Sequence, residues 1–177
     1  MTAAHQQPHE PEPLLDRHED GLGGAITILE AGNAERPLRF RMTLPPGFGP
    51  PAPECHPGIR EDFTVLEGTL NLGTIDGKRV LLSAGDTFTL PAGVFHKPAN
   101  PDTTNAVIEC VLTPGRDLAV MFRSLYAATR EHRGLGQFVR QAMVLRRHTD
   151  CIWFPFPVRV AMSVAAAIGN ALGLRAP

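Results

Sequence analysis

The chain has 177 residues, 43% of them hydrophobic, which suits one globular unit with a core of its own. Its net charge of −1 gives no electrostatic case for nucleic acid or an anionic membrane surface as a partner. Three cysteines, at positions 55, 110 and 151, show neither zinc-ribbon spacing nor the density of a secreted disulfide scaffold, so a reducing cytoplasmic compartment is expected.

The first fifteen residues are proline-rich, contain two histidines and two glutamates, and hold no apolar run of the kind a secretory signal needs. Residues 1–20 are therefore expected to form a flexible arm, with His5 and His9 solvated. Residues 25–30 and 38–44 alternate apolar and polar side chains and predict strands; the proline- and glycine-rich stretch 45–51 between them and the next element predicts a rigid loop. Phe63, Val65, Leu70 and Leu72 continue the period of two, Asp76-Gly77 predicts a turn, and residues 80–82 and 87–90 predict short strands. Residues 105–112 are expected to close the sheet.

From Arg116 the period changes. Leu118, Met121, Phe122, Leu125 and Tyr126 recur at helical spacing; a second helix is expected after Gly134-Leu135-Gly136, and a third over residues 158–174. Residues 152–174 are apolar, but Arg159 and Asn170 interrupt them, leaving too short a clean run to span a bilayer. Charge separates the halves: residues 1–115 hold eight basic against fifteen acidic side chains, and residues 116–177 hold nine against three. Basic helices docking on an acidic barrel, or on a second copy of it, are the expectation; the arginines show no helix-turn-helix pattern that would favour nucleic acid.

Two segments carry chemistry. In the first, Glu54 and His56 are two residues apart on an extended chain and so share a face, while Cys55 takes the other. Pro57-Gly58 then reverses the chain, and Glu61 opens the return strand towards the same space. In the second, Pro91 and Gly93 turn the chain after residues 87–90, so that His96 starts the next strand. Two histidines and one or two carboxylates converge. Cys55 and Cys110 read as small buried hydrophobes, Glu109 as an outward residue, and Trp153 and Tyr126 as core or interface aromatics.

These segments resemble the two motifs of the cupin superfamily. The second, Gly-x5-Pro-x-Gly-x2-His-x3-Asn, is met at Gly85, Pro91, Gly93, His96 and Asn100; the first, His-x-His-x(3,4)-Glu-x6-Gly, is met at His56, Glu61 and Gly68, with Glu54 in place of its first histidine. The resemblance implies a mainly β fold, a double-stranded β-helix or jelly-roll barrel over residues 21–115, with residues 116–177 as a helical extension packing on the barrel or on a dimer partner. It implies one divalent transition metal, iron, manganese, nickel or zinc, held by His56, Glu61 and His96. It also implies a small-molecule substrate and a homodimer.

Glu54 decides the chemistry. Either it is a fourth ligand, adding negative charge around the ion, or it stands free as an acid or base beside a two-histidine, one-carboxylate set. Spacing leaves both open. The expected function is a metal-dependent enzyme of the dioxygenase or isomerase/cyclase type, with Phe63, Phe88 and Phe95 as candidate apolar walls; the alternative is a non-catalytic cupin that binds a small ligand or regulates a partner.

Overall fold

The computed structural model describes residues 16–177. His5 and His9 lie outside the described residues. Eight strands are followed by three helices: β1 Asp16–Glu19, β2 Ala25–Glu30, β3 Leu38–Leu44, β4 Arg60–Glu67, β5 Thr69–Ile75, β6 Lys78–Ser83, β7 Thr87–Leu90, β8 Ala106–Thr113, then α1 Leu118–Glu131, α2 Gly134–Arg147 and α3 Phe156–Ala171.

Six strands form one antiparallel sheet in the order β1-β2-β3-β8-β4-β7, and β5 and β6 form a second, two-stranded one. The alternation that predicted the strands also sorts their faces. In β4 the side chains of Glu61, Phe63 and Val65 turn inward and are buried, and β8 alternates buried and half-buried positions along its whole length. Leu70, Leu72, Ile75 and Leu82 of the small sheet share one apolar core with Ile26, Phe40, Val65 and Ile108 of the large one. Two sheets closing on a common interior make a mainly β jelly roll, as the motifs imply.

Local signals hold where they are strongest. Asp76 and Gly77, with φ of 50° and 75°, join β5 to β6 in the left-handed conformation that a tight hairpin demands. Gly68 lets β4 pass into β5 at φ 71°, where an added Cβ would sit 3.0 Å from both Ala106 Cα and Asn105 O.

The last strand, β8, lies inside the sheet, paired with β3 on one side and β4 on the other. Three expectations are corrected. The expected arm of residues 1–20 is cut short by β1, which pairs with β2 and is held to α1 where Arg123 Nε donates to Asp16 Oδ2 at 2.8 Å. His96 starts no strand of the sheets but sits in a single bridge opposite Glu54. The second helix begins at Gly134 itself, so the glycine pair belongs to its first turn.

The extension and the barrel are continuous in their packing. Leu118, Ala119, Met121, Val144, Cys151 and Ile152 belong to the same apolar core as the strands. Helices α2 and α3 make a second cluster from Val139, Ala142, Met143, Met162, Ala165 and Ala166, and a Cβ at Gly169 would lie 2.6 Å from Met143 Sδ, so only glycine allows that approach. Pro157 is tolerated in the first turn of α3, where no intrahelical N–H is required. No helix among the described residues is long and apolar enough to cross a membrane.

Candidate metal centre

Glu54, His56 and His96 form one cluster and Glu61 lies against its two imidazoles, each residue placed for a local reason. Glu54 and His96 face one another across an antiparallel bridge, each backbone N–H donating to the other's carbonyl at 2.8 Å, so their side chains leave on one face. His56 follows two residues after Glu54 on that face, its carbonyl accepting from Gly93 N–H at 3.0 Å. Glu61 comes from β4, registered between Leu90 of β7 and Leu112 of β8, both fully buried.

Ligand atoms of Glu54, His56 and His96 lie within 4.8 Å of one another. Glu61 Oε2 lies 3.8 Å from His56 Nε2 and 3.5 Å from His96 Nε2. The imidazoles therefore both turn Nε2 towards one carboxylate. Their other nitrogens are occupied: His56 Nδ1 donates to the Cys151 carbonyl at 2.7 Å, and His96 Nδ1 to the Val94 carbonyl at 3.3 Å. A proton held on Nδ1 leaves the lone pair on Nε2, which is the form that binds a metal.

Burial sets the electrostatics. It pushes the Glu54 carboxyl up to about 7. It raises Glu61 well above the usual carboxylate range, and the nearby Glu54 charge adds to that rise. Burial lowers both imidazoles to about 4, with the carbonyls of Cys151 and Val94 opposing it. At neutral pH the histidines are neutral ligands. Two carboxyl groups crowded into an apolar surround are unfavourable as bare anions, and a divalent cation would offset that charge. Neutral imidazole nitrogens and a carboxylate oxygen grouped at Glu54, His56 and His96 thus fit a borderline divalent metal, with the Glu61 carboxylate beside both imidazoles as a further candidate donor.

Aromatic and sulfur groups complete the surround. Phe63 presents its ring nearly edge-on to His96, at 6.0 Å between centroids and 66° between planes. Phe88 packs partly buried against the core, whereas Phe95 is 43% exposed and is no wall of this site. Cys55, Cys110 and Cys151 are buried and unpaired, and burial raises the thiol pKa of each. Glu109 lies on the outer face between Arg39 and Arg41, as expected. Tyr126 packs against the core, but Trp153 is half exposed.

One participant is invisible to sequence reading. The turn after α2 brings Cys151 to His56 and pairs Trp153 with Cys55, through Cys55 N–H to Trp153 O at 2.9 Å and Trp153 N–H to Cys55 O at 2.8 Å. The carbonyl that orients His56 belongs to the backbone, and no side-chain motif marks it. Asn100, read only as a motif residue, proves structural: its buried amide donates to the carbonyls of Leu44, Pro45 and Thr104 and ties the loops beside the site together.

A jelly-roll barrel enclosing two histidines and acidic partners defines a class, and similarity to known proteins agrees with it. Residues 40–112 match the Cupin domain family. That match runs from within β3 to within β8, the core strands of the barrel. It is 38% identical over 94 residues to Germin-like protein 5-1 of Oryza sativa subsp. japonica, covering 49% of this chain and 41% of the relative. It is 35% identical over 98 residues to Quercetin 2,3-dioxygenase of Bacillus subtilis, covering 52% of this chain and 29% of the relative. The chain thus spans less than half the length of these curated relatives. Among solved structures, a sugar phosphate isomerase of the cupin superfamily from Silicibacter pomeroyi superposes with a TM-score of 0.48 at 23% identity, over 56% of this chain and 71% of that one.

Proposed function

We propose that this chain is a metal-dependent cupin enzyme acting on a small oxygen-bearing organic molecule in the barrel, with Glu54 moving a proton on that substrate. One observation carries the reading. A carboxylate oxygen of Glu54 and a ring nitrogen of each imidazole lie within 4.8 Å of one another, so a substrate held at that point has an acid/base group beside it.

A divalent metal, when bound, supplies Lewis acidity towards a substrate oxygen; iron, manganese, nickel and zinc all suit the mixed nitrogen and oxygen donors. His56, Glu61 and His96 hold the ion in this proposal. Glu54 takes a proton from carbon beside a substrate carbonyl and returns it at the neighbouring atom, which is the net change of an isomerisation; in a cyclisation it takes the proton of a substrate hydroxyl as that oxygen adds to a carbon–carbon double bond, and returns it to the other carbon. Leu90, Leu112 and Phe63 keep water from Glu61 and His96, and low polarity there strengthens each charge interaction.

Dioxygenation is a second reading, favoured by the similarity to Quercetin 2,3-dioxygenase. In it Glu54 removes a hydroxyl proton from the substrate. Metal-loaded protein in heavy water, offered a panel of hydroxy ketones and keto sugars, should catalyse deuterium exchange seen by NMR, and Glu54→Gln should abolish it. Oxygen uptake with polyphenols and no exchange would select the second reading. Neither activity in protein that binds metal and a small ligand would leave a non-catalytic cupin.

The homodimer expectation belongs to this proposal. Val160, Val164 and Ile168 of α3 and Leu172 just after its end recur every fourth residue and are exposed, forming an apolar stripe that a second copy would cover. Light scattering should give a dimer mass for the full chain and a monomer for Val164→Glu.

A further inference from the structure

A cavity of about 200 Å³, open on one side, lies in the helical extension and is separate from the four site residues. Its walls are apolar, from Leu145, Ile152, Phe154 and Met162, with the indole of Trp153 beside them. Two exposed arginines, Arg146 at the end of α2 and Arg159 in α3, line it as well. No carboxylate does, and neither arginine forms a salt bridge with any described residue. Arg159 lies over the Trp153 ring at 5.1 Å, and Trp153 Nε1 donates to the Thr149 carbonyl, which fixes the indole as a wall.

We propose that this cavity binds a small aromatic carboxylate. A guanidinium presents a planar fork of donors that matches a carboxylate, and two arginines lining one cavity, neither in a salt bridge with a described residue, favour an anion there. The apolar walls select a flat hydrophobic body over a bare inorganic ion. Size agrees: an apolar cavity of about 150 Å³ admits benzene, so the present volume accommodates one ring with its carboxylate. Trp153 is bridged to Cys55, which lies between Glu54 and His56, so the occupant touches the segment paired with the site strand.

Trp153 is the only tryptophan in the chain, and its fluorescence reports occupancy directly. The full chain is titrated with benzoate, benzamide and acetate, in the presence and absence of a chelator. Benzoate should produce a saturable change, with benzamide and acetate at least about tenfold weaker, and chelator should not alter it. Arg146→Gln and Arg159→Gln should each weaken benzoate about tenfold with an unchanged circular dichroism spectrum. No saturable response, equal binding of benzamide, or benzoate affinity unmoved by both substitutions would overturn the proposal. Loss of binding with chelator would do the same, since it would place benzoate at the metal centre.

Discussion

His56 Nδ1 donates to the backbone carbonyl of Cys151 at 2.7 Å, joining residues 95 positions apart and tying the helical extension to the candidate metal centre. The extension is thereby part of the site. Its turn supplies the acceptor that fixes the tautomer of one imidazole, and the Cys55–Trp153 bridge fixes the segment carrying that acceptor.

Breaking the bridge should therefore loosen the metal. Trp153→Pro removes the N–H that donates to Cys55 O at 2.8 Å, and metal affinity measured by competition with a chromophoric chelator should fall by about tenfold or more. Trp153→Phe keeps that N–H and should leave the affinity essentially unchanged. Equal affinity in the proline variant would mean that the carbonyl of Cys151 does not position His56.

The pH dependence of the metal-free protein has a defined sign. Glu54 is raised to about 7 from 4.5, so its contribution to stability is complete below pH 4.5 and is lost as pH rises through 7. The histidines, lowered to about 4 from 6.5, act in the opposite sense: theirs is complete above 6.5 and lost as pH falls through 4. Glu54→Gln removes the first effect, together with the part of the Glu61 rise that the Glu54 charge causes, and leaves the histidine effect in place. In chelator-treated protein its melting temperature relative to wild type should rise between pH 5 and pH 8, by an amount corresponding to about 2–3 kcal/mol, or roughly 5–10 °C. A difference that stays flat with pH would contradict the raised Glu54 carboxyl.

Asn100→Ala should act through stability. Removing the amide leaves the carbonyls of Leu44, Pro45 and Thr104 without that donor in a buried place, a loss of about 2–4 kcal/mol. Thermal denaturation should show a drop of about 5–15 °C. Metal stoichiometry measured below that temperature should be unaffected; its loss would give Asn100 a role at the centre itself.

What could be read from sequence divides along physical lines. Strands Ala25–Glu30, Leu38–Leu44 and Thr87–Leu90 were legible because alternation and flanking turn residues are local properties. The convergence of Glu54, His56, Glu61 and His96 was legible because each is placed by a turn or by strand parity. Strand order was not: the insertion of β8 between β3 and β4 depends on pairings across most of the barrel sequence, which no local period encodes. The role of Cys151 was hidden because every residue carries a carbonyl and only the fold selects one. Residues 16–19 looked like arm because their composition is polar; an edge strand needs little apolar content when Asp16 is paired with Arg123. Phe95 looked like a wall because hydrophobicity alone does not say which side of a turn faces water.

Metal content tests the central claim most directly. Protein purified without chelator, or reloaded with iron, manganese, nickel or zinc, is analysed by elemental mass spectrometry beside His56→Ala and His96→Ala variants of confirmed fold. One ion per chain in the wild type and a loss in both variants is the expected result. No stoichiometric metal under any loading, or full occupancy without either imidazole, would contradict a metal held between those two histidines.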